Sequence, residues 1–274
     1  MKKLILNDNI INYLEKGDGS PLIILNGSLQ NINIWLSYEE QYNFDPFYSN
    51  FRVIYYDQRN QGDSSKNQNL NFDEHINDLL NLVTNLSINK CSLLGVSYGS
   101  DIAIKFALKY PHLVDKLILL GPSNYFTSFQ SSLLLKILLN ILEGKNDNSF
   151  KDFFLLSYIH MFGAKTINQQ KNYYKIRQDF FIKNFKQEDI YNYTKCIYEF
   201  LNTLPKQNIN LSEIKNKTLI MVGEEDYHLP LRYAKKIKKE IKNSEIITFK
   251  ESGHFFLFDN FEKVIDKVVN FIKN

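Results

Sequence analysis

"LLGVSYGS", residues 93–100, ends an apolar run with a serine set between two glycines, Gly95 and Gly99. Glycine packs nothing inside a strand and loses the most backbone freedom on folding, so a pair flanking one serine needs a reason. The pattern is G-x-S-x-G, preceded by a β-rich run from Cys91 and followed by a helical one. In that context the chain turns sharply from strand to helix and the serine takes a strained conformation. The glycines let strand and helix approach each other. Ser97 is then exposed at the strand's C-terminal end, beside amides at a helix N-terminus, where partial positive charge favours an anion. The spacing marks Ser97 as a candidate nucleophile.

The strand-then-helix order continues on both sides of this turn. Apolar runs at 10–17, 21–27, 51–57, 91–97, 114–121, 217–223 and 244–250 are mostly continuous rather than alternating. Strands covered on both faces read that way. The first runs lie close together, which predicts antiparallel pairing at that end of the sheet. Helical spacing over 73–86, 100–110 and 261–272 separates the later runs, the second stopping at Pro111. The fold class expected is α/β, a mostly parallel central sheet flanked by helices, with a core domain built from residues 1–121 and 211–274. Residues 122–210 interrupt the alternation with helical or irregular patterns rich in Phe, Tyr, Leu and Lys, and are read as a helical cap inserted between two strands.

Composition narrows the function classes. The 274 residues are 44% apolar with a net charge of +3, enough for one large core and too apolar for a disordered chain. The densest basic stretch, "AKKIKKEIK" at 234–242, sets Ala234, Ile237 and Ile241 at helical spacing. Its lysines therefore form a solvated helix face, and nucleic acid is not an expected partner. Cys91 and Cys196 lie far apart and suggest neither a disulfide framework nor a metal site. The start "MKKLILNDN" has too short an apolar run for a signal peptide, and "LLLKILLNIL" at 133–142 is too short to span a bilayer. A cytoplasmic protein without stable membrane insertion is expected. Nothing in the chain speaks to oligomeric state.

A serine nucleophile needs a base held in the right tautomer by an acid. Of the five histidines, His75 sits in a helical pattern, His112 follows a helix-ending proline, His160 lies in the expected cap and His228 is just past a strand end. His254, in "ESGHFF", follows the last strand and precedes the last helix. Catalytic groups collect on loops at the C-terminal edge of a parallel sheet, so His254 is the candidate base. The acid is sought in "LIMVGEEDYHLP". Asp226 is chosen, with Glu225 as the alternative. The order Ser97, Asp226, His254 is the one this architecture calls for. Such a set works on a small molecule without a metal or cofactor.

With these residues in place, the chain resembles the α/β-hydrolase family in its cap-bearing branch. That branch's D-x-R-G-x-G-x-S segment appears as "DQRNQGDS", Asp57 to Ser64, with Asn60 in the place of a glycine. Its HG-x loop appears as "NGS", where Asn26 replaces the histidine. The resemblance implies an oxyanion hole from the backbone amides of Ser28 and Tyr98. Trp35 and Tyr98 lie near the expected mouth, and Asn26, Leu29 and Trp35 are the candidate substrate contacts. It implies hydrolysis of a carboxylic ester or thioester through an acyl-serine. Lactone, amide or carbon–carbon bond cleavage by the same triad stays open, and so does a non-catalytic relative that binds a hydrophobic ligand. The apolar stretches 133–142 and 150–162 either pack the cap or line an apolar acyl pocket.

Overall fold

Eight strands, β1 (Lys2–Ile5), β2 (Ile10–Lys16), β3 (Ser20–Leu25), β4 (Phe51–Tyr56), β5 (Cys91–Val96), β6 (Val114–Leu120), β7 (Lys217–Gly223) and β8 (Ser244–Phe249), pair in the order β1-β2-β4-β3-β5-β6-β7-β8. β2 is antiparallel to both of its neighbours, and every other pairing is parallel. The computed structural model describes residues 1–6, 9–66, 72–122, 129–143, 152, 186–203 and 209–274. The antiparallel start matches the close spacing of the first runs. β1 itself was not expected. Its four residues are mostly exposed and carry no alternating pattern, as suits a short edge strand.

The described helices are α1 (Ile32–Glu39), α2 (Asp45–Tyr48), α3 (Phe72–Asn85), α4 (Tyr98–Lys109), α5 (Phe129–Glu143), α6 (Gln187–Thr203), α7 (Leu231–Glu240), α8 (Phe256–Asp259) and α9 (Phe261–Lys273). They cover both faces of the sheet, which is why the central strands read as continuous apolar runs. Successive side chains of a strand point to opposite faces. Ile23, Leu93, Leu117 and Ile220 accordingly pack with Leu79, Ile102 and Ile237 from α3, α4 and α7. Their neighbours Ile24, Leu94, Ile118 and Met221 pack with Trp35, Phe47 and Val264 from α1, α2 and α9.

Strand order positions the site. After β3 the chain moves outward to β4, then returns to lay β5 on the other side of β3. The loops leaving β3 and β5 therefore diverge and open a crevice at the carboxyl edge of the sheet, where ligands of such sheets bind. Asn26 to Gln30 leave β3 at this point, and Ser97 leaves β5.

Between β6 and β7, α5 and α6 pack on each other, and Leu138, Leu139, Leu142, Ile190, Tyr193 and Ile197 on them are buried. Gln187 Nε2 donates to the Leu142 carbonyl at 3.2 Å. Leu138, Leu139 and Leu142 of the apolar stretch 133–142 are buried. Almost all of 150–162, His160 included, lies outside the described residues. Among the described residues no helix is long and apolar enough to cross a membrane.

Candidate active site

Ser97 caps α4 with φ 51° and ψ −117°, a conformation that costs a non-glycine residue of the order of 1–3 kcal/mol. The flanking glycines explain how it is held. A Cβ on Gly95 would lie 2.5 Å from the Gly99 carbonyl oxygen, and one on Gly99 would lie 2.1 Å from that of Leu25. Only bare backbone fits between the end of β3, the end of β5 and the first turn of α4. The Ser100 hydroxyl donates to the Gly95 carbonyl at 2.7 Å and tightens the same turn.

His254 Nδ1 lies 2.6 Å from Asp226 Oδ2. The second oxygen of Asp226 accepts from the Leu229 amide at 2.7 Å. Asp226, not the alternative Glu225, holds the imidazole, and it is buried at 3% exposure. An ionised carboxylate only accepts, so the proton of a neutral ring sits on Nδ1 and leaves Nε2 as an acceptor. The loops carrying this pair touch through backbone. A Cβ on Gly223 would lie 2.2 Å from the carbonyl oxygens of both Ser252 and Gly253. The Glu225 amide donates to the Ser252 carbonyl at 2.9 Å.

Leu120 and Gly121 join this pair to the serine. The Ser97 amide donates to the Leu120 carbonyl at 2.7 Å. A Cβ on the next residue, Gly121, would lie 3.0 Å from His254 Cε1 and 3.8 Å from Asp226 Oδ2. Gly121 has φ +57°, so the ends of β5, β6 and β7 converge on a position that favours glycine.

The β3 loop lies against the serine turn. The Gly27 amide donates to Gln30 Oε1 at 3.0 Å, and a Cβ on Gly27 would sit 3.3 Å from the Val96 carbonyl oxygen. Ser28 is exposed at the tip and Leu29, half-buried, has φ 58°. Tyr98 is the first residue of α4, and its ring meets Phe72 and His75.

Two expected substrate contacts require correction. Asn26 and Trp35 are 0% and 2% exposed. Trp35 Nε1 donates to Asn26 Oδ1 at 2.7 Å, and Asn26 Nδ2 donates to the Tyr56 carbonyl at 2.8 Å. The Gln58 side chain accepts from the Asn26 amide at 2.9 Å and donates to the Asn26 carbonyl at 3.1 Å. Both residues therefore face inward and brace the loop. Gln58 is a support residue that sequence reading missed, although it lies within the quoted "DQRNQGDS".

The rest of that segment is structural. Asp57 accepts from Asn12 Nδ2 at 2.8 Å and from the amides of Ile32 and Asp63 at 2.8 and 2.9 Å. Burial raises its pKa, against these donors. Arg59 is 2% exposed and forms a two-pronged pair with Asp78, at 2.7 and 2.8 Å, with Glu74 on its other side. Asn60, in place of the glycine, has φ 66°, which asparagine tolerates better than most residues. Gln61 Nε2 donates to the Tyr193 hydroxyl at 3.0 Å and ties this loop to α6. His75, at 1% exposure, has its pKa pushed down to about 3, first by burial and then by Arg59. Cys91 is a buried free thiol raised to about 12 by burial. Among the described residues no group of three or more His, Cys, Asp or Glu is placed to hold a metal ion.

A family model described as alpha/beta hydrolase fold matches residues 20–261. The chain belongs to the alpha/beta hydrolase fold family. This alpha/beta hydrolase is 24% identical over 266 residues to the 2-hydroxy-6-oxononadienedioate/2-hydroxy-6-oxononatrienedioate hydrolase of Escherichia coli (strain K12), covering 96% of this chain and 90% of the relative. It is 24% identical over 282 residues to the 2-hydroxy-6-oxo-6-phenylhexa-2,4-dienoate hydrolase of Comamonas testosteroni, covering 98% and 93%. In fold, it superposes with a TM-score of 0.86 and 20% identity on an alpha/beta hydrolase enzyme from a Medee basin deep-sea metagenome library, over 100% of this chain and 98% of that one.

Proposed function

We propose that the protein is a cytoplasmic serine hydrolase that cleaves a carboxylic ester or thioester of a small acyl substrate with an apolar body, using Ser97, His254 and Asp226. The observation that carries this reading is the buried Asp226–His254 pair at 2.6 Å, which meets Gly121 beside the amide contact of the strained Ser97. The insertion between β6 and β7, to which α5 and α6 belong, is the proposed cap, and Leu29 and the Tyr98 ring border the proposed mouth of the site.

The mechanism follows from the parts. His254 Nε2 takes the proton as Ser97 Oγ attacks the carbonyl carbon. Asp226 holds the ring and offsets the charge that forms on it. The oxyanion rests on the amides of Ser28 and Tyr98, the second at the N-terminus of α4. His254 returns the proton to the leaving alcohol or thiol. It then activates a water that releases the acid from the acyl-serine.

A second reading has its own support. Two relatives aligned over nearly the whole chain are named as hydrolases of 2-hydroxy-6-oxo dienoates and dienedioates. Attack on the 6-oxo carbon by the same residues would break a carbon–carbon bond. A panel of ethyl esters, thioesters, a lactone and a 2-hydroxy-6-oxo dienoate, run on the wild type and on Ser97→Ala, separates the two. Fastest turnover of an ester or thioester, lost in Ser97→Ala, supports the first reading, and fastest turnover of the dienoate the second. Turnover equal in both proteins refutes both.

A further inference from the structure

His228 lies against the candidate base. Its ring centroid is 5.2 Å from that of His254, with the planes 72° apart, so the two imidazoles meet edge to face. The turn that presents it is the one that supplies the acid. The Asp226 amide donates to the Gly223 carbonyl at 3.3 Å, and Asp226 Oδ1 accepts from the Leu229 amide at 2.7 Å. This closes the chain over residues 227 and 228. Tyr227 is thrown outward, 74% exposed, and His228 is turned in, half-buried against His254.

Among the described residues, the other groups shown against His254 offer a substrate little polarity. Gly121 presents no side chain, Phe255 presents a ring 6.2 Å away, and the Asp226 carboxylate is spent on Nδ1 and the Leu229 amide. A substrate atom exchanging a proton with His254 Nε2 lies about 3 Å from it. Imidazole nitrogens sit about 1 Å from the ring centre, so substrate atoms a few bonds further on come within hydrogen-bond reach of His228. A phenylalanine at 228 would provide the same edge-to-face contact. Histidine adds a donor, an acceptor and the capacity to become cationic near neutral pH.

We propose that His228 is a specificity-determining residue that receives a carboxylate carried by the substrate within a few bonds of the scissile carbonyl. A ring N–H of His228 donating to that carboxylate makes a charge-assisted hydrogen bond, because the acceptor is ionised. The proposal rests on the serine-hydrolase reading only for where the substrate sits, and its test is one of binding.

Dissociation constants for monoethyl succinate and for uncharged ethyl butyrate are measured by calorimetry or NMR titration on Ser97→Ala, with and without His228→Phe or His228→Gln. The Phe variant keeps an aromatic ring and the Gln variant keeps a hydrogen-bond donor. In Ser97→Ala, monoethyl succinate is expected to bind more tightly. His228→Phe is expected to lower the preference for the acid about tenfold, the size of one charge-assisted hydrogen bond, and His228→Gln to retain part of it. Equal weakening of both ligands by His228→Phe reduces the residue to a packing role and overturns the proposal. An unchanged preference, or no binding of monoethyl succinate to Ser97→Ala, also overturns it. Failure of the hydrolase reading shows elsewhere, as turnover that Ser97→Ala does not reduce.

Discussion

Gly99 and Leu25 approach so closely that a methyl group on Gly99 would lie 2.1 Å from the Leu25 carbonyl oxygen. Both partners of that clash are backbone, at the end of β3 and in the first turn of α4, so neither can swing aside. Gly99→Ala is expected to destabilise the protein by about 1–3 kcal/mol and to abolish turnover by displacing Ser97. Urea unfolding and a kcat measurement on the same sample check it. An active variant of unchanged stability would mean that the turn is looser than described.

Trp35 and Asn26 satisfy each other beneath the β3 loop. Trp35→Phe leaves Asn26 Oδ1 buried without its donor, an expected loss of about 1–3 kcal/mol in unfolding free energy. Because the indole faces the core, kcat should fall more than KM changes. A rise in KM at constant stability would restore Trp35 as a substrate contact.

The assignment of the acid is testable by charge-neutral substitution. Asp226→Asn replaces an acceptor of the His254 proton with an amide and favours the wrong tautomer. An asparagine in this role has lowered kcat by about 10⁴-fold in a triad enzyme. Glu225→Gln leaves the His254 bond in place and should retain activity within a few-fold. The reverse ranking in steady-state kinetics would move the acid to Glu225.

His75 links stability to pH. Its ordinary value of 6.5 falls to about 3 in the buried site, so the native state stays unprotonated where the unfolded chain takes up a proton. Stability from this group is therefore full above the unfolded value. It is lost as pH falls towards the folded one, by about 1.4 kcal/mol per pH unit. His75→Leu removes this dependence. Between about pH 7 and about pH 5, the wild type should lose about 2 kcal/mol more than the variant in urea unfolding. Parallel losses would show that His75 takes up its proton in the folded protein.

The strained turn at Ser97 and the contact of Asp226 with His254 were legible because each residue sits where an apolar run ends, and Gly95, Gly99 and Gly223 mark places where only backbone fits. Position along the sheet edge carried that information. Side-chain direction was not legible. Asn26 read as a pocket residue because a polar group at a strand end looks the same whether it faces a ligand or the Tyr56 carbonyl, and Trp35 because nothing in its position along the chain shows that its indole turns inward from α1 onto Asn26. Leu29 carries no sign of its left-handed backbone, since leucine has no preference for it. His228 stood out only as a histidine past a strand end, and its contact with His254 depends on a turn closed by Asp226 and Leu229. β1 escaped notice because four exposed residues at a sheet edge carry neither periodicity nor an apolar run.

Reaction with a fluorophosphonate probe, read by intact mass and peptide mapping, asks whether the residue-97 hydroxyl is activated. The wild type should gain one adduct, mapped to Ser97, while Ser97→Ala gains none and Asp226→Asn reacts far more slowly. A wild type left unlabelled, or a Ser97→Ala variant labelled equally well, would remove the serine-hydrolase reading.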